Sequence, residues 1–325
     1  MESFTRRRRL IKASIIGCGK IAGGSYEFNK TTHAGAYQAN KHISLVSCYD
    51  TNSSRSKNIS KRFNCKQRKN IESVVSDEPD IISICTPENT HFKIVKKILN
   101  LSKKKLIIFL EKPSFPEKKN FDEILKILKS SKSEIIVNHS RRFDTVHNNL
   151  KKLIKNGKFG KFISASVLYY GGWMHNGVHA IDTLIYLLNK EIKISKIFSL
   201  KKTNYKNDPS IDLLLNVGSK LQKIYMNSVE EKNYQIFEFD LRFAKSRVRI
   251  EDFGNRLFIE NKKINILKEN ILIPDRSRLK KTKQSSMENA INMIVKHIKS
   301  ENRKYLNGFT LEDSYKTMKV MWEAK

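Results

Sequence analysis

Short apolar runs alternate with amphipathic segments over the first 140 or so residues. Ile11–Ile16 (IKASII) is brief and ends at Gly17, which marks a buried strand rather than a helix. Ser44–Tyr49, Ile81–Cys85, Leu106–Leu110 and Glu134–Val137 repeat that pattern. Between them, Ser53–Phe63, Ile71–Val75, His91–Leu101 and Phe121–Leu128 read as helices; in His91–Leu101 the apolar positions are Phe92, Val95, Ile98 and Leu99. Strands that alternate with helices predict a parallel, doubly wound sheet. Beyond about residue 140 the rhythm changes. A helix near His147–Lys155 stops at Asn156-Gly157, Phe162–Tyr170 alternates like a half-buried strand, and Val178–Leu188 is an apolar helix. Six strand-like runs follow without a long helix between them: Ile192–Leu200, Ile211–Val217, Gln222–Met226, Gln235–Leu241, Arg247–Ile250 and Arg256–Ile259. They predict one open, mostly antiparallel sheet. Ile271–Ser286 reads as a basic, polar loop, and Met287–Ile298 and Leu311–Trp322 as closing helices.

The predicted class is α/β. Residues 1–138 form an N-terminal Rossmann-type parallel sheet, and residues 139–325 an α+β domain with the large sheet, the boundary falling near Asn138–Arg142. The chemistry sits where the first domain's strands end. Gly17-x-Gly19-x-x-Ala22, with Lys20 and Ile21 between, follows a strand and precedes an expected helix. Glycines there allow a tight turn and close approach of backbone N–H groups to a pyrophosphate. Asp50 ends the next strand and suits the ribose hydroxyls of NAD, while Arg55 could neutralise the extra phosphate of NADP. Asp50 lies 31 residues after Gly19, farther than is usual, so Gly23–Gln38 reads as an inserted loop before the first helix. Two further strand ends are unusual: Cys85-Thr86-Pro87-Glu88-Asn89-Thr90-His91 and Glu111-Lys112-Pro113. Pro113 restricts Lys112 to an extended backbone and would hold its amine beside a nicotinamide, where it could act on a substrate hydroxyl. In the second domain, Gly171-Gly172-Trp173-Met174-His175-Asn176-Gly177-Val178-His179-Ala180-Ile181-Asp182 puts His179 and Asp182 three apart on one helix face. A histidine suits proton transfer near neutral pH, and Asp182 could orient it, bind a hydroxyl or merely cap the pair. No second carboxylate or cysteine stands at ligand spacing, so no metal site is expected.

Composition narrows the setting. The chain has 325 residues, of which 39% are hydrophobic, enough for a real core. Its longest wholly apolar runs are five residues, far short of the ~20 of a spanning helix, and the N-terminus has no apolar signal region. The four cysteines form no C-x-x-C pair, so a disulfide framework is not expected and a reducing, cytoplasmic setting is. The net charge is +31. The excess is lysine, 47 against 16 arginines, scattered among asparagine and isoleucine, which reads as compositional bias rather than a nucleic-acid surface. A positive field would also draw in a phosphorylated or carboxylated substrate. The Arg6–Arg9 cluster reads as a solvated lead-in to the first strand.

IIGCGKIA, Asp50, ICTPENTH, LEKP, VNHSRRFD, KNGKFGKF, NGVHAID and the closing NGFTLEDSYKTMKVMWEA together resemble the Gfo/Idh/MocA family, the glucose–fructose oxidoreductase and inositol dehydrogenase group. The resemblance implies an enzyme that oxidises or reduces a carbon of a sugar, polyol or sugar nucleotide with NAD, or NADP. It implies a homodimer or homotetramer acting on a small sugar-like substrate, with no membrane or nucleic-acid partner. Lys112 resembles the lysine that contacts the reacting hydroxyl, His179 the acid/base histidine and Asp182 the aspartate of the HxxD pair. Gly17, Gly19, Lys20, Ile21, Asp50, Thr86, Pro87, Asn89, His91 and Glu111 would line the cofactor, and Asp182, His175, Asn176, Trp173 and Arg142 the substrate. Many members carry Asp four residues before the histidine, where this chain has His175. That departure leaves a second reading, an idle dinucleotide-binding sensor.

Overall fold

The computed structural model describes residues 9–24, 30–218, 222–275, 284–300 and 303–324. Arg6–Arg8, part of the expected inserted loop (25–29) and half of the expected basic loop (276–283) lie outside those residues. The chain divides into two compact units, Met1–Ser140 with Gln284–Asp313, and Arg141–Lys283 with Ser314–Lys325.

The first unit is a six-stranded parallel sheet. Its strands are β1 (Ile11–Ile16), β2 (Ile43–Tyr49), β3 (Lys66–Gln67), β4 (Ile81–Ile84), β5 (Ile107–Leu110) and β6 (Glu134–Val137), in the order β3-β2-β1-β4-β5-β6. Every residue of β4, β5 and β6 is buried. Strands covered on both faces read as unbroken apolar runs, which is why the sequence marked them. Helices α1 (His33–Ala39), α2 (Ser53–Phe63), α3 (Ile71–Val75), α4 (His91–Leu101) and α5 (Lys118–Ser130) connect them. Side chains set several starts: Thr32 accepts from the Gly35 N–H, Asn52 from Ser54 and Arg55, and Asn70 from Ser73. α1 begins at His33, inside the segment expected to be loop, because Thr32 caps it there. The strand order reverses between β1 and β4, so the crevice beyond their carboxyl ends is where such a sheet takes a ligand.

After β6 the chain runs through α6 (Ser140–Phe143), α7 (Thr145–Lys155), β7 (Phe162–Tyr170) and α8 (Val178–Leu188). Strands β8 (Ile192–Lys201), β9 (Ser210–Val217), β10 (Gln222–Val229), β11 (Glu238–Phe243), β12 (Ser246–Glu251), β13 (Arg256–Ile264) and β14 (Asn270–Pro274) complete an eight-stranded sheet ordered β14-β13-β12-β11-β7-β10-β9-β8. The sheet is mostly antiparallel, as expected, but β7 pairs with β10 in parallel. β14 occupies part of the expected loop; all five of its residues are exposed, so no alternation announced a strand. In α8 every residue but the half-exposed His179 is buried, and it packs on α7 and β7.

Residues 139–325 do not stay together. α9 (Ser286–Ser300) belongs to the first unit, where Met287, Ala290, Ile291 and Ile294 are buried and the helix lies along α1. Asn292 accepts from Asn40 at 2.9 Å, and His297 Nε2 stands 2.7 Å from the Glu134 carboxylate of β6. α10 (Leu311–Glu323) closes the chain.

Candidate functional site

Gly17 leaves β1 with φ of 87°, its N–H bonded to Tyr49 O at 2.8 Å. A Cβ here would lie 2.7 Å from the Cys85 carbonyl carbon and from Thr86 Cγ2, so only glycine lets β1 and β4 end side by side. Gly19 differs: a Cβ there would meet nothing within 4 Å, and the open space lies over the turn. A single wide turn, Lys20–Gly24, follows the glycines, and the expected helix comes later. Ala22 is buried beneath it, while Lys20 and Ile21 are exposed. Asp50 braces the turn. Its Oδ2 accepts from the Cys18 N–H at 2.6 Å and its Oδ1 from the Asn52 N–H at 2.8 Å. A carboxylate offers about four acceptor positions, so capacity remains for ribose hydroxyls.

These residues line a cleft of ≈ 590 Å³ together with Thr51, Arg55, Cys85, Thr86, Pro87 and Thr90. The volume falls in the usual range for small-molecule sites, and the glycine cradle with an acidic wall fits a dinucleotide. Asn89, Lys20 and Ile21 are not among the lining residues. Nor is His91, which the sequence reading also gave to the cofactor. It is fully buried, with Nδ1 3.0 Å from both Pro113 O and Ser114 O and Nε2 3.0 Å from Thr86 O. Surrounded by carbonyls, the ring ties two strand-end loops together instead of presenting itself to a ligand.

Glu111 is corrected in the same way. Its Oε1 sits 2.9 Å from His33 Nε2 and accepts from Asn138 Nδ2 at 2.6 Å. His33 Nδ1 lies 2.8 Å from Ser83 Oγ, which lies 2.6 Å from Tyr37 Oη. Burial by itself would raise the Glu111 carboxyl, yet His33, Asn138 and the Lys112 charge hold it below the usual carboxylate range. Lys112, half-exposed, thus follows a residue fixed by a buried hydrogen-bond chain; its bond to Pro113 is cis. A depressed carboxylate stabilises the fold above its unfolded pKa of ~4.3 and loses that contribution as pH falls through the lower folded value. Urea denaturation of Glu111→Gln and wild type should therefore differ most at pH 7 and converge in acid. A gap that persists unchanged at pH 3 would refute the assignment.

In the second unit, glycines admit two carboxylates against the backbone. A Cβ on Gly172 would fall 2.2 Å from Asp208 Oδ2, and one on Gly171 2.3 Å from Glu231 Oε1. Asp208 accepts the N–H groups of Met174 at 2.7 Å and His175 at 2.9 Å, shaping the turn before α8. The His175 ring stacks on Tyr205 at 3.9 Å. A carboxylate from elsewhere in the chain therefore lies against the position where the family pattern carries its own. Trp173 is buried and donates its ring N–H to Met321 O at 3.1 Å, which makes it a core residue and not a substrate contact. His179 presents an edge-to-face contact to Phe237 at 6.5 Å.

Arg142 and Asp182, both assigned to substrate, meet each other. Arg142 Nε and Nη2 donate to the two Asp182 oxygens at 3.0 and 2.7 Å, and Thr317 Oγ1 adds a bond of 2.8 Å. Both are at most 4% exposed. The buried fork leaves them a bracing role. The residues that complete these networks, His33, Ser83, Asn138, Asp208 and Thr317, carry no local sequence signal, since each lies far along the chain from its partner. Among the described residues no group of three or more His, Cys, Asp or Glu could hold a metal. All four cysteines are free, and no helix is long and apolar enough to cross a membrane.

Residues 11–139 match the family model GFO_IDH_MocA, an oxidoreductase family with an NAD-binding Rossmann fold. Inositol 2-dehydrogenase of Rhizobium meliloti (strain 1021) is 25% identical over 151 residues, which cover 46% of this chain and 42% of that enzyme, less than half its length. Among solved structures, KijD10, a 3-ketoreductase from Actinomadura kijaniata in complex with NADP, superposes with a TM-score of 0.75 at 14% identity, covering 96% of each chain. UDP-N-acetylglucosamine 3-dehydrogenase GnnA from Acidithiobacillus ferrooxidans gives 0.72 at 13% identity, again over 96% of both. At those identities the likeness is one of fold.

Proposed function

We propose, from the match of residues 11–139 to the GFO_IDH_MocA oxidoreductase family, that this chain is an NAD(P)-dependent dehydrogenase acting on a CH–OH carbon of a sugar, polyol or sugar nucleotide. The observation that carries the reading is the cleft beyond β1 and β4, where Gly17 closes the strand ends, Gly19 leaves open space and Asp50 supplies an acidic wall. Gly17, Gly19, Asp50, Thr86 and Pro87 would hold the dinucleotide, which supplies the hydride acceptor or donor when bound. His179 takes the proton of the substrate hydroxyl in oxidation and returns it in reduction. Lys112 contacts the reacting oxygen and stabilises the charge that grows on it. The inositol of the sequence relative and the UDP-amino sugar of the structural neighbour support a polyhydroxylated substrate here.

The test is a panel of free sugars, polyols and UDP-sugars with NAD and NADP, read at the absorbance of the reduced nicotinamide. Reduction with at least one member supports the reading; dinucleotide binding without turnover on any member supports the sensor instead. Asp50 should favour NAD(H), because a carboxylate accepts ribose hydroxyls and repels a 2′-phosphate. We expect NADH to bind at least tenfold more tightly than NADPH, and Asp50→Asn to narrow that ratio by about tenfold, the scale of one charged hydrogen bond. Fluorescence titration checks it, and an unchanged ratio in the variant would overturn the assignment.

A further inference from the structure

Arg141 and Arg142 are adjacent in sequence and opposite in circumstance. Arg142 has a carboxylate on both arms of its fork. Arg141 has none: its guanidinium makes no hydrogen bond or ion pair among the described residues, and its buried Nε lacks any acceptor. Asp182 and Asp144 are near enough to favour its charge, but Asp182 is committed to Arg142 and Asp144 to the His147 N–H and ring. Burial draws the Arg141 guanidinium down to about 10, so it stays cationic at neutral pH. A buried donor on a cation with no acceptor is costly, and such groups persist where a ligand completes them.

The surroundings say what kind of ligand. The guanidinium carbon lies 3.9 Å from the centre of the Phe237 ring, so one face is covered and the free N–H groups lie in the guanidinium plane. That geometry suits the two oxygens of a carboxylate or phosphate. The same ring receives the edge of His179 at 6.5 Å, which places the unpaired cation beside the residue given the acid/base role. A second donor without a partner, Asn176 Nδ2, is buried three residues before His179. Glu231 Oε2 is another buried atom without a partner and can accept from a substrate hydroxyl.

We propose that Arg141 is the anion-recognition group of the substrate site and that the substrate carries a carboxylate or a phosphate oxygen within its reach. This rests on the reading of His179 as a catalytic group, but it is tested without turnover. Isothermal titration calorimetry would use four probes: glucose, glucuronate, UDP-glucose and UDP-glucuronate. Wild-type protein should bind an anionic member at least tenfold more tightly than its neutral counterpart. Glucuronate over glucose assigns the carboxylate, as does UDP-glucuronate over UDP-glucose; UDP-glucose over glucose alone assigns the phosphate. Arg141→Met should remove the preference, with a loss of about 10- to 100-fold, and Arg141→Lys should restore part of it, since the charge returns without the fork. NADH affinity, which belongs to the other unit, should stay unchanged, and an unchanged chemical-denaturation midpoint reports that the variants are folded. A panel in which no anion is preferred, or a preference that survives in Arg141→Met, overturns the proposal. Loss of turnover on His179 substitution with no anion preference sinks this inference and leaves the proposed function standing; the reverse result does the opposite.

Discussion

Replacing Arg142 with methionine should cost about 3–5 kcal/mol of stability, because it strands a carboxylate in the interior. Asp182 is 2% exposed and accepts three bonds, two of them from Arg142 and one from Thr317. Without the guanidinium, Asp182 keeps of these donors only the neutral hydroxyl of Thr317 and loses the cation bonded to both its oxygens, which favours taking up a proton at the expense of folding. The double variant Arg142→Met/Asp182→Leu removes both charges and should recover most of the loss, since a well-packed apolar pair commonly matches a buried ion pair. Chemical denaturation of the three proteins at pH 7 decides it. The substrate-binding role read from the sequence makes a different forecast: near-normal stability with a raised KM. A loss below 1 kcal/mol together with a KM effect would restore that role.

That misassignment shows where the sequence is informative. A strand buried on both faces advertises itself, and β4, β5 and β6 were legible because only Ser83 and Glu134 are polar in them; the partner of Glu134, His297, lies 163 residues away. The glycine turn was legible too, since Gly17 is demanded by two strand ends that meet over it. Pairings between distant segments were not. Arg142 and Asp182 stand 40 residues apart, His33 and Glu111 78, and a residue type gives no hint of which distant partner will satisfy it. Chemically capable side chains gathered near a motif therefore look like ligands until their neighbours are known. Glu111, His91, Trp173, Arg142 and Asp182 each have partners within the protein. β3 and β14 were missed for a simpler reason. One is two residues long and the other wholly exposed, so neither carries a hydrophobic period. The parallel β7–β10 pair was missed because register between strands separated by a helix is a tertiary property.

Lys112→Met and His179→Ala should each lower kcat by about 10²-fold or more, the scale on which general acid–base groups act. The expectation follows from the solvent exposure that these two side chains keep. His179 is the one residue of α8 that is not buried, in a helix otherwise devoted to the core. An imidazole stands there where the rest of the helix is given to the core. Lys112 stands half-exposed directly after Glu111, whose bonds to His33 and Asn138 fix the backbone from which it projects. Steady-state rates across pH separate a role in proton transfer from a structural effect. The wild-type profile should show an ionisation that disappears in His179→Ala, while NADH affinity and thermal stability remain near wild type. Turnover within about threefold of wild type in both single variants lies far below the expected scale and would remove Lys112 and His179 from the reaction.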